Sequence, residues 1–227
     1  VPGLTTRQLE PYCERIMVGF EDCRAHYKHP EKVVVTGTPV RGDFFTLTKE
    51  QAKEKLGVND GRPLIVSFWG SLGSGGMNRA IADFLALESA KEPFHHIHGV
   101  GGICWEQMQQ WMSARGFDPA VHPALDVREY IYDMATVMRA ADLVICRAGA
   151  STLSELTALG VPAILVPSPN VTNHHQEKNA ALLGDHGAAL VLAEEDLDGK
   201  KLFAAAAGLL KDDDRLAKMA ENMSQLG

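Results

Sequence analysis

The fold of this chain is decided by residues 140–156, which read AADLVICRAGASTLSEL. The apolar run at 143–146 has the pattern of a strand that is covered on both faces. Gly149 allows a sharp turn and a close approach of the backbone to a ligand. The residues after it begin a helix, whose first free N–H groups would point above the edge of the sheet. Such a helix start is a ready site for an anion.

Strand and helix patterns alternate along the chain after residue 63, with short connections between them. We predict strands at 64–68, 94–98, 121–125, 143–146, 163–166 and 189–192, and helices near 77–90, 105–115, 132–140, 152–159 and 175–183. Two more helices are expected between 200 and 226. This alternation predicts an α/β fold with a doubly wound parallel sheet, whose ligands bind at the carboxyl ends of the strands.

The first third of the chain is less regular, with a helix near 6–12 and short strands near 15–20 and 33–36. Pro39 restricts its neighbour within the segment 37–42, which is typical of a linker. Residue 1 is Val, and the opening residues lack the charged start and apolar core of a signal peptide. We therefore expect the chain to begin within a longer protein.

Composition narrows the classes of function. The 227 residues are 45% hydrophobic and 22% charged, which suits one large domain or one domain plus part of another. The net charge of −7 argues against a nucleic-acid surface and gives no support to an anionic membrane surface. No apolar stretch reaches the length of a membrane span. The four cysteines form no paired motif, which is typical of reduced thiols in a cytoplasmic protein.

Two interpretations of Glu155 have equal support from its spacing. Thr152 and Glu155 match a capping box, in which the glutamate reaches back to the helix start. Alternatively, Glu155 binds the ribose hydroxyls of a nucleotide. Arg147, just before the turn, is harder to explain by packing and favours an anion nearby.

A glycine-rich segment follows the first strand of the main domain and contains Gly70, Ser71 and Gly73. It suits a close approach of backbone to phosphates or to a reacting sugar, and a flexible turn is the structural alternative. The Gly-Lys-Ser/Thr ending of a nucleoside-triphosphate loop is absent. The dinucleotide fingerprint and its ribose acid are also missing, which argues against NAD.

Polar residues at 174–179 follow a later strand and could bond sugar hydroxyls, or they could form a solvated helix start capped by Asn173. His96 and His98 share one face of a predicted strand, with His95 on the other. Without a carboxylate or cysteine partner, these histidines are more typical of structural roles than of a metal site.

The order of these motifs resembles the MurG family of bacterial glycosyltransferases. The matching segments span essentially the whole chain, at 37–41, 70–73, 129–134, 146–150, 154–155, 160–162 and 175–180. Members transfer N-acetylglucosamine from UDP-GlcNAc to the lipid-linked muramyl-pentapeptide in peptidoglycan synthesis. The resemblance implies a GT-B fold, with two Rossmann-like halves and a cleft between them. The C-terminal half binds the donor, and the N-terminal half binds the lipid acceptor and touches the membrane.

The resemblance assigns residues 1–37 to a remnant of the acceptor domain with the linker, and residues 38–227 to the UDP-GlcNAc donor-binding domain. The proposed catalytic base of the family lies in the acceptor half, so no catalytic residue is assigned here. We expect this fragment alone to be inactive toward the lipid acceptor. The lipid and the cytoplasmic face of the cell membrane are expected to be reached only through the other half.

The resemblance also implies roles at the donor site. Ile131 should meet uracil through its backbone, with Tyr130 and Met134 beside the base, and Glu155 should bind the ribose. Ser71 and the N–H groups near the helix start should face the diphosphate, and Gln176 with His175 should bond the sugar. Arg41 should lie near the nucleotide in the closed form. The complete donor-binding set is Arg41, Gly70, Ser71, Gly73, Tyr130, Ile131, Met134, Arg147, Gly149, Ala150, Ser151, Thr152, Glu155, His175, Gln176 and Asn179.

The implied chemistry is inverting transfer by a UDP-GlcNAc-dependent hexosyltransferase, in which UDP leaves as the acceptor hydroxyl attacks the anomeric carbon. It requires no tightly bound cofactor, and a divalent cation such as Mg²⁺ is compatible with it. Two alternatives remain open. One is a stand-alone UDP-GlcNAc-binding subunit that needs a membrane-anchored acceptor partner, and the other is a glycolipid synthase of the same fold that uses another UDP-sugar.

Overall fold

The computed structural model describes residues 2–19, 21–171 and 174–227. It divides the chain into two compact units, Val1–Arg41 and Gly42–Gly227. The boundary lies four residues after the predicted one at 37/38. The assignment of the first unit to a remnant of an acceptor domain stays a prediction.

The first unit is built on a short parallel pair of strands, β1 (Ile16–Val18) and β2 (Val33–Val35), with Ile16 opposite Val33. Helix α1 (Leu4–Leu9) precedes them. The buried side chains of Ile16, Val18 and Val33 form a small core, because they are the inward-facing apolar residues of the pair.

The second unit contains a parallel sheet of six strands. These are β3 (Leu64–Phe68), β4 (His95–Gly99), β5 (Leu125–Arg128), β6 (Leu143–Cys146), β7 (Ala163–Leu165) and β8 (Ala189–Val191). The order β5-β4-β3-β6-β7-β8 confirms the predicted doubly wound fold. The chain runs outward from β3 on one side and from β6 on the other, so the topological switch point lies between these two strands. Ligands of such sheets bind there, outside the carboxyl ends.

The helices of the second unit cover the sheet. They are α2 (Lys49–Leu56), α3 (Gly75–Glu88), α4 (Trp105–Ala114), α5 (Met134–Ala140), α6 (Ala150–Leu159), α7 (His175–Asp185), α8 (Gly199–Leu210) and α9 (Asp213–Ser224). The main core joins Ile65 and Ile145 of the sheet to Phe84 of α3 and Leu202 of α8, and all four are fully buried. Within the described part of the chain, no helix is both long and apolar enough to cross a bilayer.

Two local features differ from the sequence prediction. Helix α2 was not expected, although Thr48 and Gln51 form a complete capping box at its start and Gly57 ends it in the left-handed conformation. The strand predicted at 121–125 is wrong, because β5 begins only at Leu125. Pro119–Val121 is a 3₁₀ turn, and Pro123 has no N–H to donate to a strand ladder.

Candidate functional site

A cleft of about 170 Å³ lies at the carboxyl edge of the sheet, beside the start of α6. It brings together seven of the predicted donor-site residues, which come from the loop after β3, the loop after β5 and helices α5 and α6. These are Gly70, Ser71, Tyr130, Ile131, Met134, Thr152 and Glu155. The remaining lining residues are Phe68, Gly99, Gly101 and Glu129.

Two glycine loops pack against each other along this cleft. Gly73 and Gly101 both have positive φ angles, at 77° and 85°. A Cβ atom on Gly73 would lie 2.3 Å from the Val100 carbonyl oxygen, and one on Gly101 would lie 2.5 Å from the Gly73 nitrogen. Gly73 is therefore explained by loop packing. Gly70 also has a positive φ, of 84°, and a Cβ there would meet no atom within 4 Å, so this glycine faces open space.

Ile131 is anchored while its backbone stays near the cleft. Its side chain is buried and packs so closely on Gly99 that a Cβ on that glycine would lie 3.0 Å from Ile131 Cδ1. The Ile131 N–H donates no hydrogen bond within the described part of the chain. The neighbouring Tyr130 is 45% exposed, and its ring lies 5.0 Å from that of Tyr132. A backbone donor beside an exposed aromatic ring suits recognition of a planar base.

Helix α6 begins without a side-chain cap. Its N-cap is Gly149, and the first backbone hydrogen bond of the helix runs from Leu153 N–H to the Gly149 carbonyl. Thr152 therefore lies inside the first turn, and the capping-box interpretation of Thr152 and Glu155 is wrong. The φ of Gly149 is an ordinary −72°, so the turn itself does not require glycine, and a Cβ there would meet no atom within 4 Å. The uncapped N–H groups of Ala150, Ser151 and Thr152 remain to bind an anion.

The guanidinium of Arg147 has partners within the protein. It donates hydrogen bonds to Glu194 Oε2 at 2.8 Å, to the Val166 carbonyl at 3.0 Å and to Ser74 Oγ at 3.1 Å. It also lies over the Trp69 ring, 5.7 Å from its centroid. These contacts explain the arginine by packing, contrary to the expectation from sequence, and its part in donor binding stays a prediction.

The polar residues of α7 hold the neighbouring loops. Gln176 Oε1 accepts a hydrogen bond from the Ser168 N–H at 2.9 Å, and Asn179 Nδ2 donates one to the Ala148 carbonyl at 3.1 Å. The Gln176 amide nitrogen has no partner in the described residues and could donate to a sugar. His175 is exposed. None of these three side chains lines the cleft of about 170 Å³.

Two predicted features cannot be placed in the site. The proposed cap Asn173 lies outside the described residues. Arg41 belongs to the first unit, and its role near the nucleotide stays a prediction.

The histidines of β4 are buried and hydrogen-bonded, as expected for structural residues. However, two of them have carboxyl partners that sequence reasoning did not find: His96 bonds Glu88 at 2.8 Å and His95 bonds Asp60 at 2.9 Å. Burial lowers the pKa of His96 and of His98 to about 3. Burial also raises the pKa of Glu88 well above its usual value. Among the described residues, no group of three or more His, Cys, Asp or Glu side chains is arranged to bind a metal ion.

The sequence of residues 64–226 matches the model of the glycosyltransferase family 28 C-terminal domain. Similar proteins from Acetivibrio thermocellus and Caldanaerobacter subterraneus are 38% and 39% identical over 226 and 225 residues. Both carry the name UDP-N-acetylglucosamine–N-acetylmuramyl-(pentapeptide) pyrophosphoryl-undecaprenol N-acetylglucosamine transferase. The alignments cover 100% and 99% of this chain but 60% and 61% of those proteins, so the chain spans about three fifths of their length.

Solved structures agree with this fold. The crystal structure of Acinetobacter baumannii MurG has a TM-score of 0.70 and 27% sequence identity, and the match covers 99% of this chain and 59% of that one. Anabaena HepE in complex with UDP-glucose has a TM-score of 0.63 over 96% of this chain and 60% of its own. Its 13% identity makes that likeness one of fold alone.

Proposed function

The chain belongs to glycosyltransferase family 28, and on this premise we propose that its second unit binds UDP-N-acetylglucosamine as the donor half of an N-acetylglucosaminyltransferase. The acceptor would be the lipid-linked muramyl-pentapeptide, as the names of its relatives suggest. One observation carries the proposal. A single cleft brings together the backbone of Ile131, the carboxylate of Glu155 and the uncapped start of α6.

The parts of UDP fit the order of these groups. Uracil would lie at Ile131, whose N–H can donate to a carbonyl of the base, with Tyr130 at its side. Glu155 lies five residues after the start of α6, or about 7.5 Å along the helix axis at 1.5 Å per residue. The ribose hydroxyls would donate to this carboxylate while the diphosphate accepts from the N–H groups of the first turn. Ser71 would contribute its hydroxyl on the opposite side.

The helix start would also promote departure of UDP. As the bond between the anomeric carbon and the diphosphate breaks, negative charge grows on the diphosphate oxygens. N–H groups that already point at this charge stabilise the transition state without reorganising, and the positive end of the helix dipole adds to the effect. The acceptor hydroxyl would attack from the opposite face and invert the anomeric configuration. The base that deprotonates it would come from the acceptor half.

This scheme needs no tightly bound cofactor. Mg²⁺ would only assist the reaction by binding the diphosphate. The whole protein would work at the cytoplasmic face of the cell membrane and reach its lipid acceptor through the half that the relatives have in addition. The donor unit itself would meet only the UDP-sugar.

Calorimetry with UDP, UDP-GlcNAc and ADP tests the proposal. We expect UDP and UDP-GlcNAc to bind and ADP to bind at least tenfold more weakly, or about 1.4 kcal/mol, because a purine cannot use the Ile131 donor in the same pose. Thr152→Met should block the cleft and abolish binding. Gln109→Met is the matched control, since Gln109 lines a separate cavity of about 500 Å³ beside Trp105. Equal binding of UDP and ADP, or equal effects of the two variants, would contradict the proposal.

A further inference from the structure

A chain of hydrogen bonds runs through the buried interior from α3 to the glycine loops of the cleft. Its links are Glu88 Oε2 to His96 Nδ1 at 2.8 Å, His96 Nε2 to Ser67 Oγ at 2.7 Å, Ser67 Oγ to His98 Nδ1 at 2.7 Å, His98 Nε2 to Asn78 Oδ1 at 3.1 Å and Asn78 Nδ2 to the Val100 carbonyl at 2.9 Å. All five side chains are buried.

The Val100 carbonyl, at one end of these hydrogen bonds, determines which groups donate in the links nearest to it. The Val100 oxygen can only accept, so it must face the NH₂ group of Asn78. The Asn78 oxygen then faces His98 Nε2, which must carry a hydrogen. His98 in its neutral form therefore accepts at Nδ1, and its donor is the Ser67 hydroxyl.

The same reasoning determines the remaining links. Because the Ser67 hydroxyl has given its hydrogen to His98, its oxygen must accept from His96 Nε2. In a neutral His96 ring, Nδ1 then has to accept as well, and its partner is Glu88. Only the protonated acid of Glu88 can donate there. Every member of the chain is then uncharged.

We propose that this chain of hydrogen bonds is neutral and that each group in it donates towards Val100, starting from Glu88. We also propose that Asn78, at its end, is a positioning residue for the two glycine loops of the cleft. The second part rests on the proposed function of that cleft. Asn78 touches both loops: it bonds Val100 in one, and its amide nitrogen lies 3.4 Å from where a Cβ on Gly73 would stand in the other. A loss of its N–H would leave the Val100 carbonyl buried and unpaired.

Two charged arrangements of the hydrogens compete with this one. In the first, a single proton moves from Glu88 to His96 and makes an ion pair of the two groups. The second differs by one proton at each of the three links between Glu88 and His98. In it Glu88 is ionised and His98 is an imidazolium, which would also donate from Nδ1 to the Ser67 carbonyl at 3.1 Å. Burial decides against both, because each places two ions in a part of the core with no solvent exposure. The groups packed against these hydrogen-bonded side chains do not lower the free-energy cost of burying the charges. The Phe84 ring packs edge-on to His96, and Glu92 raises the pKa of Glu88 further.

The direction of the chain is testable in the unmodified protein. Nitrogen NMR of labelled histidines at pH 7 should show His96 and His98 as neutral imidazoles with the hydrogen on Nε2. An imidazolium signal for His98, or a hydrogen on Nδ1 of either ring, would overturn the proposal. Glu88→Gln should leave both tautomers unchanged, because the glutamine amide can donate to His96 as the protonated acid does.

The role of Asn78 is tested by Asn78→Leu, which keeps about the size of the side chain but removes its donor to Val100. Asn222→Leu is a matched control, since the amide of Asn222 also donates to a backbone carbonyl, that of Gly187, but at an exposed position. Hydrogen exchange of the Gly73 and Gly101 amides should accelerate about tenfold in Asn78→Leu through local opening, and not in the control. UDP affinity should fall by a similar factor.

The outcomes separate the two proposals. Unchanged exchange at both glycines in Asn78→Leu would overturn the positioning role. If hydrogen exchange at the two glycines accelerates but the unmodified protein fails to bind UDP, the proposed function is wrong while the positioning role of Asn78 stands. If Asn78→Leu does not fold, the tautomers of the unmodified protein still decide whether the hydrogen-bond chain is neutral.

Discussion

Replacing Glu155 with alanine should weaken UDP binding far more than it weakens folding. The structure gives the reason, since Glu155 lies in the second turn of α6 and has no part in a capping box. Because this position is half-buried and lies outside the helix cap, we expect Glu155→Ala to cost no more than an ordinary point substitution, about 1 kcal/mol of the free energy of unfolding. Each hydrogen bond between a ribose hydroxyl and a carboxylate contributes about 1.5–3 kcal/mol, so UDP affinity should fall roughly 10- to 150-fold.

Thr48→Ala is the matched control, because Thr48 begins the capping box that the structure does contain, at α2. Loss of that cap should cost about 1 kcal/mol of stability and leave UDP affinity unchanged. Urea denaturation and calorimetry on the same samples measure both quantities. The use of 2′-deoxy-UDP adds a second arm: the unmodified protein should discriminate against it, and Glu155→Ala should not.

The opposite pattern would refute this reasoning. If Glu155→Ala lost about 1 kcal/mol of stability or more, as a helix cap does, with UDP affinity intact, the glutamate would be structural. If the variant still discriminated between UDP and 2′-deoxy-UDP, the ribose would be held elsewhere.

Three further predictions concern residues with contacts that the structure defines. Gln176→Ala should lower the affinity for UDP-GlcNAc by about 1–3 kcal/mol and narrow its advantage over UDP-GalNAc, with UDP itself nearly unaffected; equal calorimetric losses for all three would mean that Gln176 only holds the Ser168 loop. Arg147→Ala should cost about 2 kcal/mol in urea denaturation because its partly buried ion pair and hydrogen bonds are lost, and a change near zero would contradict this. Between pH 6.5 and pH 5 the unfolded chain takes up protons at His96 and His98 that the folded chain refuses, so stability should fall on acidification. Protonated Glu88 opposes this fall, and Glu88→Gln should steepen it by up to about 1.4 kcal/mol per pH unit in urea denaturation, whereas an unchanged slope would mean an ionised Glu88.

The sheet and the position of the cleft were predictable because their signals are local. The apolar run at 143–146 became β6, and the glycine turn after it led directly into α6. Residues at the carboxyl ends of parallel strands share one edge, which is why Ser71, Ile131 and Glu155 lie together although they are far apart in sequence.

Other features depend on which local signal prevails. The spacing of Thr152 and Glu155 matched a capping box, yet the helix begins earlier, at Ala150, because Gly149 serves as its N-cap. A true capping box at Thr48 and Gln51 was overlooked, because α2 has little apolar pattern to draw attention to it. The strand predicted from residue 121 was displaced by a capped 3₁₀ turn.

The partners of buried polar groups could not be predicted from spacing. Glu88 and His96 are eight residues apart on different elements, and Asp60 is 35 residues from His95. Arg147 is paired with Glu194, 47 residues further along the chain. Such contacts depend on how α3 and the loops pack on the sheet, which a single sequence does not specify in the absence of the fold.

A crystal structure of the chain with bound UDP tests the central claim most directly. We expect uracil at the Ile131 backbone, the ribose hydroxyls on Glu155 and the diphosphate on the N–H groups of Ala150, Ser151 and Thr152. UDP bound elsewhere, such as in the cavity beside Trp105 and Phe117, or bound with its phosphates directed away from the start of α6, would contradict the account.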